Sequence, residues 1–276
     1  MTDRAAFPDQ FAGKVAVITG STQGIGEATA RLFAARGAAG LVICGRSQDR
    51  GAALAAELTA GGCPTSYQRA DLSRYEDLKP IVDRAESDFG QLDVLVNCAG
   101  VGPRGTIWDT DLETYEYIFN VNMRAPYFLT QSAVHLIQRG GRGGAVCSIG
   151  SISGYGGQPY INAYAASKGA LMSFTRNTAF QLMRHRIKVN VLNIGWAQTP
   201  NEHIVQTTAQ GQPPDWVERA NRELPFGRLV QPDEVARAVA FLTSDESGLM
   251  TGALVDFDQY VIGAFQEPPR PAPLET

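Results

Sequence analysis

Short runs of consecutive apolar residues alternate along this chain with longer segments in which apolar residues recur every three or four positions. Runs such as VAVI, LVIC and VLVN are typical of strands buried on both faces of a sheet. Segments such as EATARLFAAR and EVARAVAFLT have the spacing of a helix with one apolar face. This regular alternation predicts an α/β fold, a doubly wound parallel sheet with helices on both faces and right-handed crossovers.

Glycine or polar residues follow the predicted strands at their carboxyl ends. In sheets of this kind, ligands bind beyond those ends. The positions concerned are Gly20, Arg46, Asp71, Asn97, Ser151 and Gly195. We therefore expect the functional site at this one edge of the sheet.

A glycine-rich turn, TGSTQGIG at 19–26, lies between the first strand and the first helix. Gly20, Gly24 and Gly26 would let the backbone turn tightly and approach a pyrophosphate, while the N-terminus of the helix faces the phosphates. The spacing departs from GxGxxG, and a plain structural turn is the alternative. Its place between a strand and a helix favours a dinucleotide site.

The end of the second strand bears on which dinucleotide binds. An acidic residue there would bind the ribose hydroxyls of NAD, but the sequence has Gly45 followed by Arg46. A cation favours the extra phosphate of NADP, so we predict NADP(H) over NAD(H). The alternative is that Arg46 is a solvated loop residue. Gln23 also stands where a second cation would have helped to bind the phosphate. Asp71 and Leu72 end the third strand where an adenine would lie, although Asp71 also suits a helix cap.

The candidate chemistry lies between Ser151 and Lys168. Tyr164 and Lys168 stand at i and i+4, so on a helix they share a face. A phenol titrates near pH ~10, and a neighbouring ammonium lowers that pKa. With Ser151 orienting a substrate oxygen that Tyr164 protonates or deprotonates, the set favours an acid/base site for interconverting an alcohol and a carbonyl. A surface Tyr–Lys pair is the alternative.

Three further segments complete the organisation of the chain. Asn120 and Asn122 lie within a helix predicted over 111–138, where asparagine is unfavourable; one of them would bind a water behind the lysine, or only bend the helix. Helical spacing weakens over 196–229, and a loop of this length is expected to cover the substrate. We assign 1–263 to one catalytic domain and the proline-rich 264–276 to an extended tail.

Composition excludes several classes of function. With 276 residues, 44% of them hydrophobic, the chain can form one large core. A net charge of −4 and the lack of a basic tract argue against nucleic acid as a partner. The sequence has no leader-like start and no apolar run of ~18 residues, which predicts a cytoplasmic protein with no membrane partner. The cysteines and histidines have no ligand-like spacing, so no metal is predicted.

The segments TGSTQGIG, NCAG at 97–100, Asn122, Ser151 and YAASK at 164–168, in this order, closely resemble the short-chain dehydrogenase/reductase family over about 13–258. The resemblance implies a Rossmann-type fold and hydride transfer between a nicotinamide and a secondary alcohol or ketone. It implies that Tyr164 is the acid/base, that Lys168 lowers its pKa and holds the nicotinamide ribose, and that Asn122 supports a proton-relay water. Homo-oligomers, dimers or tetramers, are common in the family and expected here.

The resemblance also implies a set of cofactor-binding residues. It consists of Thr19, Gly20, Ser21, Gln23, Gly24, Ile25, Gly26, Arg46, Asp71, Leu72, Asn97, Ala99, Gly100, Tyr164, Lys168, Gly195 and Thr199. Two departures from the family pattern stand out. Its Pro-Gly after the sixth strand is Ile194-Gly195 here, and its Asp-Gly-Gly ending is Asp258-Gln259-Tyr260.

The substrate is predicted from aromatic and polar residues near the site, which suit a sugar or polyol as the small-molecule partner. These are Arg104, Trp108, Tyr155, Gln158, Tyr160, Trp196, Glu202 and His203. One alternative is a 3-oxoacyl-thioester reductase that uses RHRIK at 184–188 as a landing patch for an acyl carrier. Another is a non-catalytic dinucleotide-binding sensor, which the intact Ser-Tyr-Lys set disfavours.

Overall fold

The computed structural model describes residues 7–264, which form one seven-stranded sheet with all neighbouring strands parallel. The strands are β1 (Val15–Ile18), β2 (Gly40–Gly45), β3 (Thr65–Arg69), β4 (Val94–Asn97), β5 (Gly144–Ser151), β6 (Ile187–Ile194) and β7 (Leu254–Phe257). Their spatial order is β3-β2-β1-β4-β5-β6-β7. The short apolar runs of the sequence thus became buried central strands.

The helices follow the strands in alternation. They are α1 (Gly24–Ala35), α2 (Gln48–Ala60), α3 (Leu78–Phe89), α4 (Leu112–Phe119), α5 (Ala125–Gly140), α6 (Asn162–Leu182), α7 (Pro200–Ile204), α8 (Trp216–Glu223) and α9 (Pro232–Thr243). Local sequence sets several boundaries. Pro232 opens α9, where the Gln231 N–H donates to Glu234 Oε2 (3.0 Å), and Gly90 ends α3 with a φ of 69°.

Two apolar layers cover the sheet. One packs α1, α2 and α9 against one face through residues such as Phe33, Leu54 and Val239. The other packs α3 and α5 against the opposite face through residues such as Ile81 and Leu129. The predicted doubly wound α/β fold is confirmed.

The strand order reverses beside β1, and this places the site. Ile18 of β1 pairs with Ile43 of β2 on one side and with Val96 of β4 on the other. The chain winds outward in opposite directions from this point, which leaves a crevice at the carboxyl ends of β1 and β4.

Two predicted elements differ from the structure. The helix predicted over 111–138 is interrupted by a π turn at Asn120–Arg124, which separates α4 from α5. The segment 196–229, predicted as a loop, contains α7, a second π turn at Val205–Ala209, and α8. These helices are short, so their periodicity is hard to detect in the sequence. The predicted tail lies almost entirely outside the described residues.

Candidate active site

A cleft of about 900 Å³ opens at the carboxyl ends of the strands. It runs from the end of β2 over the glycine-rich turn to the start of α6 and the segment 196–229, which we call the lid. Most of the predicted site residues line it: Gly20, Gln23, Gly24, Ile25, Gly26, Arg46, Asp71, Leu72, Ala99, Gly100, Ser151, Tyr164, Lys168, Gly195 and Thr199. Positions spread over 180 residues of sequence therefore meet in one place.

The glycine-rich turn is shaped for close approach by a ligand. Gly20 and Gly24 have φ angles of 63° and 59°, in the left-handed region that side chains disfavour. A Cβ at Gly26 would lie 2.5 Å from the carbonyl oxygen of Gly20. The turn leads into α1, whose N-terminal N–H groups and dipole favour a phosphate. The residues present therefore fit a dinucleotide.

Three residues predicted to bind the cofactor have their side chains behind the cleft wall. The buried Thr19 hydroxyl accepts hydrogen bonds from the backbone N–H groups of Cys98 (3.0 Å) and Ala99 (3.1 Å). The Ser21 hydroxyl donates to the Ile18 carbonyl (2.7 Å). Both side chains fix the ends of neighbouring strands, and their part in binding the cofactor stays a prediction.

Asn97 is the third of these residues. It is buried, and its amide Nδ2 donates to Thr130 Oγ1 (3.3 Å) and Ser148 Oγ (3.4 Å), which joins β4 to α5 and β5. The cleft wall starts only at Cys98, one residue further on. Asn97 therefore braces the sheet below the predicted site.

Asn122 also lies behind the wall, inside the π turn. Its Oδ1 accepts from the Val101 N–H (2.9 Å), and its Nδ2 donates to the Val101 carbonyl (2.8 Å) and to Ser167 Oγ (3.1 Å). A Cβ built at Gly100 would be 3.4 Å from Lys168 Nζ and 3.6 Å from Asn122 Oδ1. Asn122 thus lies near Lys168, but its amide bonds the protein backbone, and its support of a proton-relay water stays a prediction.

Lys168 and Tyr164 face the cleft from the first turns of α6. Lys168 is buried, and its Nζ donates to the Ile149 carbonyl (2.7 Å) and lies 5.7 Å from the centroid of the Tyr164 ring. Burial lowers the pKa of the Lys168 ammonium to about 8. The loss of solvation also dominates at Tyr164.

Burial raises the pKa of the Tyr164 phenol, the Ser151 hydroxyl opposes this shift, and the charge of Glu202 adds to it. Desolvation is the largest of these causes. That Lys168 lowers the pKa of Tyr164 stays a prediction. A phenol with a raised pKa is protonated at neutral pH. The protonated form is the one that an acid requires, but the raised pKa by itself makes the phenol a weaker acid.

Ser151 ends β5 beside Tyr164. It is buried, and its Oγ accepts from the Ser153 N–H (3.2 Å), which begins the turn after the strand. The Ser153 hydroxyl in turn donates to Gln158 Oε1 (2.6 Å), and Gln158 lines the cleft. A chain of hydrogen bonds thus fixes the serine at the wall of the cleft.

The lid closes the other side of the cleft. Its two ends pair where the Gln198 N–H donates to the Val230 carbonyl (2.9 Å) and the Val230 N–H to the Trp196 carbonyl (3.0 Å). The Trp196 and Trp216 rings stack with centroids 5.6 Å apart. The lid is a packed helical cover held at its base.

The predicted substrate residues divide into two groups. Arg104, Gln158, Tyr160, Trp196 and Glu202 line the cleft. The other three do not: Trp108 is 92% exposed, Tyr155 donates to Asp256 Oδ1 (2.9 Å), and His203 Nδ1 accepts from Trp216 Nε1 (3.0 Å).

Sequence reasoning missed Arg50 and the segment after β7. Arg50 lies in the first turn of α2 and lines the cleft, and its Nη1 donates to Gln23 Oε1 (2.7 Å). Arg46 precedes α2, so helical spacing does not relate the two arginines; the signal in the sequence was a second arginine close after Arg46. After β7, Asp258 and Tyr260 line the cleft; the aspartate belongs to the family pattern, whereas Tyr260 stands where that pattern has glycine.

Comparison with known proteins identifies the family. The family model described as enoyl-(acyl carrier protein) reductase matches residues 20–259. The cis-4-hydroxycyclohexanecarboxylate dehydrogenase of Sinomonas cyclohexanicum is 33% identical over 251 residues, which cover 91% of this chain and 97% of the relative. The 3-oxoacyl-(acyl-carrier-protein) reductase of Thermotoga maritima is 33% identical over 250 residues, 89% of this chain and 96% of that one.

Solved structures agree. L-sorbose reductase from Gluconobacter frateurii, in complex with NADPH and L-sorbose, is 30% identical with a TM-score of 0.85, and the match covers 93% of this chain and 100% of that chain. A blue fluorescent protein from a metagenomic library, in complex with NADPH, is 31% identical with a TM-score of 0.80; the match covers 91% of this chain and 98% of the other. This chain belongs to the short-chain dehydrogenase/reductase family. It is an NAD(P)-dependent oxidoreductase that acts on alcohol or ketone groups, as the sequence predicted.

Proposed function

We propose that this protein is an NADP(H)-dependent oxidoreductase of small polyhydroxylated ketones and alcohols, with Tyr164 as the general acid/base. The observation that carries the proposal is the convergence of Tyr164, Lys168 and Ser151 on one cleft. A half-buried phenol beside a buried ammonium is suited to exchange protons with a substrate oxygen.

Two arginines support the preference for NADP(H). Arg46 at the end of β2 and Arg50 on α2 both line the nucleotide end of the cleft, and Arg50 bonds Gln23 from the glycine-rich turn. Arg50 therefore places a cation beside Gln23, where the sequence alone had indicated none. Guanidinium groups bind phosphate by charge-assisted hydrogen bonds. Both solved relatives were crystallised with NADPH.

The chain's own residues have distinct roles in the proposed reaction. When bound, the nicotinamide supplies the hydride chemistry. Ser151 orients the substrate carbonyl, and Tyr164 gives its proton to that oxygen in reduction or takes one in oxidation. Lys168 would hold the nicotinamide ribose beside Tyr164 and, in reduction, return a proton to the Tyr164 phenolate. Asn122 positions the loop after β4 through Val101 and so shapes the wall opposite Tyr164.

A polyhydroxylated substrate is supported by the substrate end of the cleft. Its polar side chains, Gln158, Glu202 and Gln206, come from three different elements and accompany the aromatic rings of Tyr160 and Trp196. Such a mixture offers both hydrogen-bonding partners and flat apolar surfaces to a carbohydrate. The relative with L-sorbose in its complex has the same fold at high similarity.

The acyl-carrier alternative is disfavoured by position. The basic run 184–188 ends in the first residues of β6, whereas Tyr164 begins α6, which is 21 residues long. At 1.5 Å per residue the two are separated by roughly 30 Å. A carrier protein docked on that run would lie at the opposite end of the sheet from the cleft.

Oligomerisation is also proposed. Several large apolar side chains are exposed on α4, α5 and α6, among them Leu112, Tyr127 and Phe180. Exposed apolar surface of this kind favours association with another copy of the chain. Light scattering on the purified protein would give the number of subunits.

Cofactor preference is tested by titrating the wild type with NADPH and NADH. We expect tighter binding of NADPH. The double variant R46A/R50A should lose about tenfold to hundredfold in NADPH affinity and leave NADH affinity unchanged. R219A removes an exposed arginine of α8 away from the cleft and serves as the control. Tighter binding of NADH by the wild type would refute the preference.

Turnover is tested with L-sorbose and NADPH. The wild type should oxidise NADPH, and Y164F should lose about 10²–10⁴-fold in rate while it still binds NADPH. Binding of NADPH without turnover of any ketose or polyol would refute the proposed substrate class. It would favour the sensor alternative if simple ketones also failed.

A further inference from the structure

Glu202 presents one fixed and one free carboxylate oxygen to the substrate end of the cleft. Its Oε1 accepts hydrogen bonds from Trp196 Nε1 (2.8 Å) and Gln206 Nε2 (2.7 Å). Within residues 7–264 its Oε2 makes no hydrogen bond, although the residue is half-buried and lines the cleft. Two donors on one oxygen fix the rotamer, so Oε2 is a pre-positioned acceptor.

The backbone fixes Glu202 near the reacting groups. Thr199 caps α7, and its Oγ1 accepts from the Glu202 N–H (3.1 Å). The Cβ of Thr199 is 3.6 Å from the place a Cβ would take at Gly24 in the glycine-rich turn. The charge of Glu202 also acts on Tyr164, whose pKa it raises. Glu202 is therefore close to both the cofactor turn and the phenol.

The other charged groups on this part of the cleft come from four further elements. They are Lys168 from α6, Arg104 from the loop after β4, Glu223 from α8 and Asp258 after β7. The Arg104 guanidinium lies 4.7 Å from the centroid of the Tyr160 ring. Carboxylates outnumber cations outside the nucleotide end, so an anionic substrate is disfavoured there.

We propose that Glu202 is a specificity-determining residue for uncharged hydroxylated substrates. Its Oε2 accepts a hydrogen bond from a substrate hydroxyl next to the carbon that is reduced or oxidised, and its charge disfavours a carboxylate at that place. An ionised carboxylate only accepts, and its bonds to hydroxyl groups are strong. The proposal rests on the function proposed above and adds the residue that selects the substrate.

Three small ketones test this selection because they differ at one position. Hydroxyacetone, butanone and pyruvate carry a hydroxymethyl, an ethyl and a carboxylate group beside the ketone. The kcat/KM of each is measured with NADPH for the wild type, E202Q and E218Q. E202Q keeps Oε1 for Trp196 and Gln206 but replaces the acceptor Oε2 with an NH₂ donor. E218Q removes an exposed carboxylate of α8 outside the cleft.

We expect the wild type and E218Q to prefer hydroxyacetone over both other ketones. In E202Q the preference over butanone should fall about tenfold to hundredfold, and the relative rate with pyruvate should rise. If the wild type reduces hydroxyacetone no better than butanone, the substrate class proposed above fails, and this inference fails with it. If the wild type prefers hydroxyacetone and E202Q keeps that preference, only the role of Glu202 is overturned.

The pH dependence of ketone reduction separates an effect of the Glu202 charge from a merely structural role of this residue. The rate of ketone reduction should fall as the pH rises through the pKa of Tyr164, because the phenol must be protonated to act as the acid. Removal of the Glu202 charge lowers that pKa, so in E202Q the fall should begin at lower pH. W196F removes one hydrogen bond to Glu202 but keeps the charge, so its profile should match the wild type. Identical profiles in E202Q and the wild type, together with an unchanged substrate preference, would overturn the inference.

Discussion

Asn122 holds Val101 by both atoms of its amide group, since Oδ1 accepts from the Val101 N–H at 2.9 Å and Nδ2 donates to its carbonyl at 2.8 Å. This pairing imitates the bonds of a neighbouring strand and fixes the loop that follows β4. The π turn Asn120–Arg124 turns the amide away from the helix and toward the loop. Such turns often occur at functional sites.

Replacing Asn122 with alanine should weaken both stability and turnover. Asn122 is buried, and its removal leaves two backbone groups of Val101 without partners, which costs about 1–3 kcal/mol in free energy of unfolding. The loop opposite Tyr164 would move, so kcat/KM should also fall by about tenfold. Urea denaturation and NADPH-linked assays measure the two effects.

The control for this prediction is N120A, two positions earlier in the same π turn. Asn120 is only partly buried, and we expect its free energy of unfolding and kcat/KM to stay near the wild type. Equal losses in N120A and N122A would mean that any change in the turn is harmful, and the specific pairing with Val101 would be refuted.

The fold was predictable because its signals are local. Runs such as the one at Val15–Ile18 and the helical spacing of Gly24–Ala35 survive in the final elements, and strand ends in a parallel sheet must share an edge. The direction of a side chain at a turn depends on partners that are distant in the sequence. Thr19 lies in the predicted glycine-rich turn, but its partners Cys98 and Ala99 are 79 and 80 positions away. No pattern within the turn could reveal them.

The pKa shifts of Tyr164 and Lys168 could not be predicted from the sequence either. The i, i+4 spacing places Lys168 beside Tyr164, but the sequence does not show how deeply each is buried. Burial decides the direction of both pKa shifts. The contribution of Glu202 to Tyr164 depends on a lid whose helices the sequence pattern did not predict.

The bracing role of Thr19 predicts a difference between two substitutions. T19V keeps the shape but removes the oxygen that accepts from two backbone N–H groups, which should lower the free energy of unfolding by about 1–3 kcal/mol and weaken NADPH binding. T19S keeps the acceptor and should retain most of both. Chemical denaturation and NADPH titration give the comparison, and equal behaviour of the two variants would contradict the assignment.

The lowered pKa of Lys168 should make the free energy of unfolding rise with pH in the alkaline range. Its pKa is about 8 in the folded protein and 10.5 ordinarily, so between these values the unfolded chain binds the extra proton. The folded state therefore gains stability from this group as the pH rises from 8 toward 10.5, by up to about 3 kcal/mol. K168M lacks the group, so the stability of the wild type relative to K168M should rise over that window.

Urea denaturation at several pH values measures this difference. K79M, which removes an exposed lysine of α3, should follow the pH dependence of the wild type. Parallel curves for the wild type and K168M would show that Lys168 titrates in the folded protein as it does in the unfolded chain, and the effect of burial on its pKa would be refuted.

Replacing Gln259 should change the KM of the ketone and leave the affinity for NADPH unchanged. Where the family pattern has glycine, its Oε1 accepts from the Phe226 N–H (2.7 Å) and its Nε2 donates to the Arg228 carbonyl (2.9 Å). These bonds tie the segment after β7 to the returning end of the lid. Q259G would release that end, so the KM of the ketone should rise several-fold while NADPH affinity stays close to the wild type. Faster proteolysis between Leu224 and Arg228 would report the released lid, and an unchanged KM together with unchanged proteolysis would show that the lid is held without Gln259.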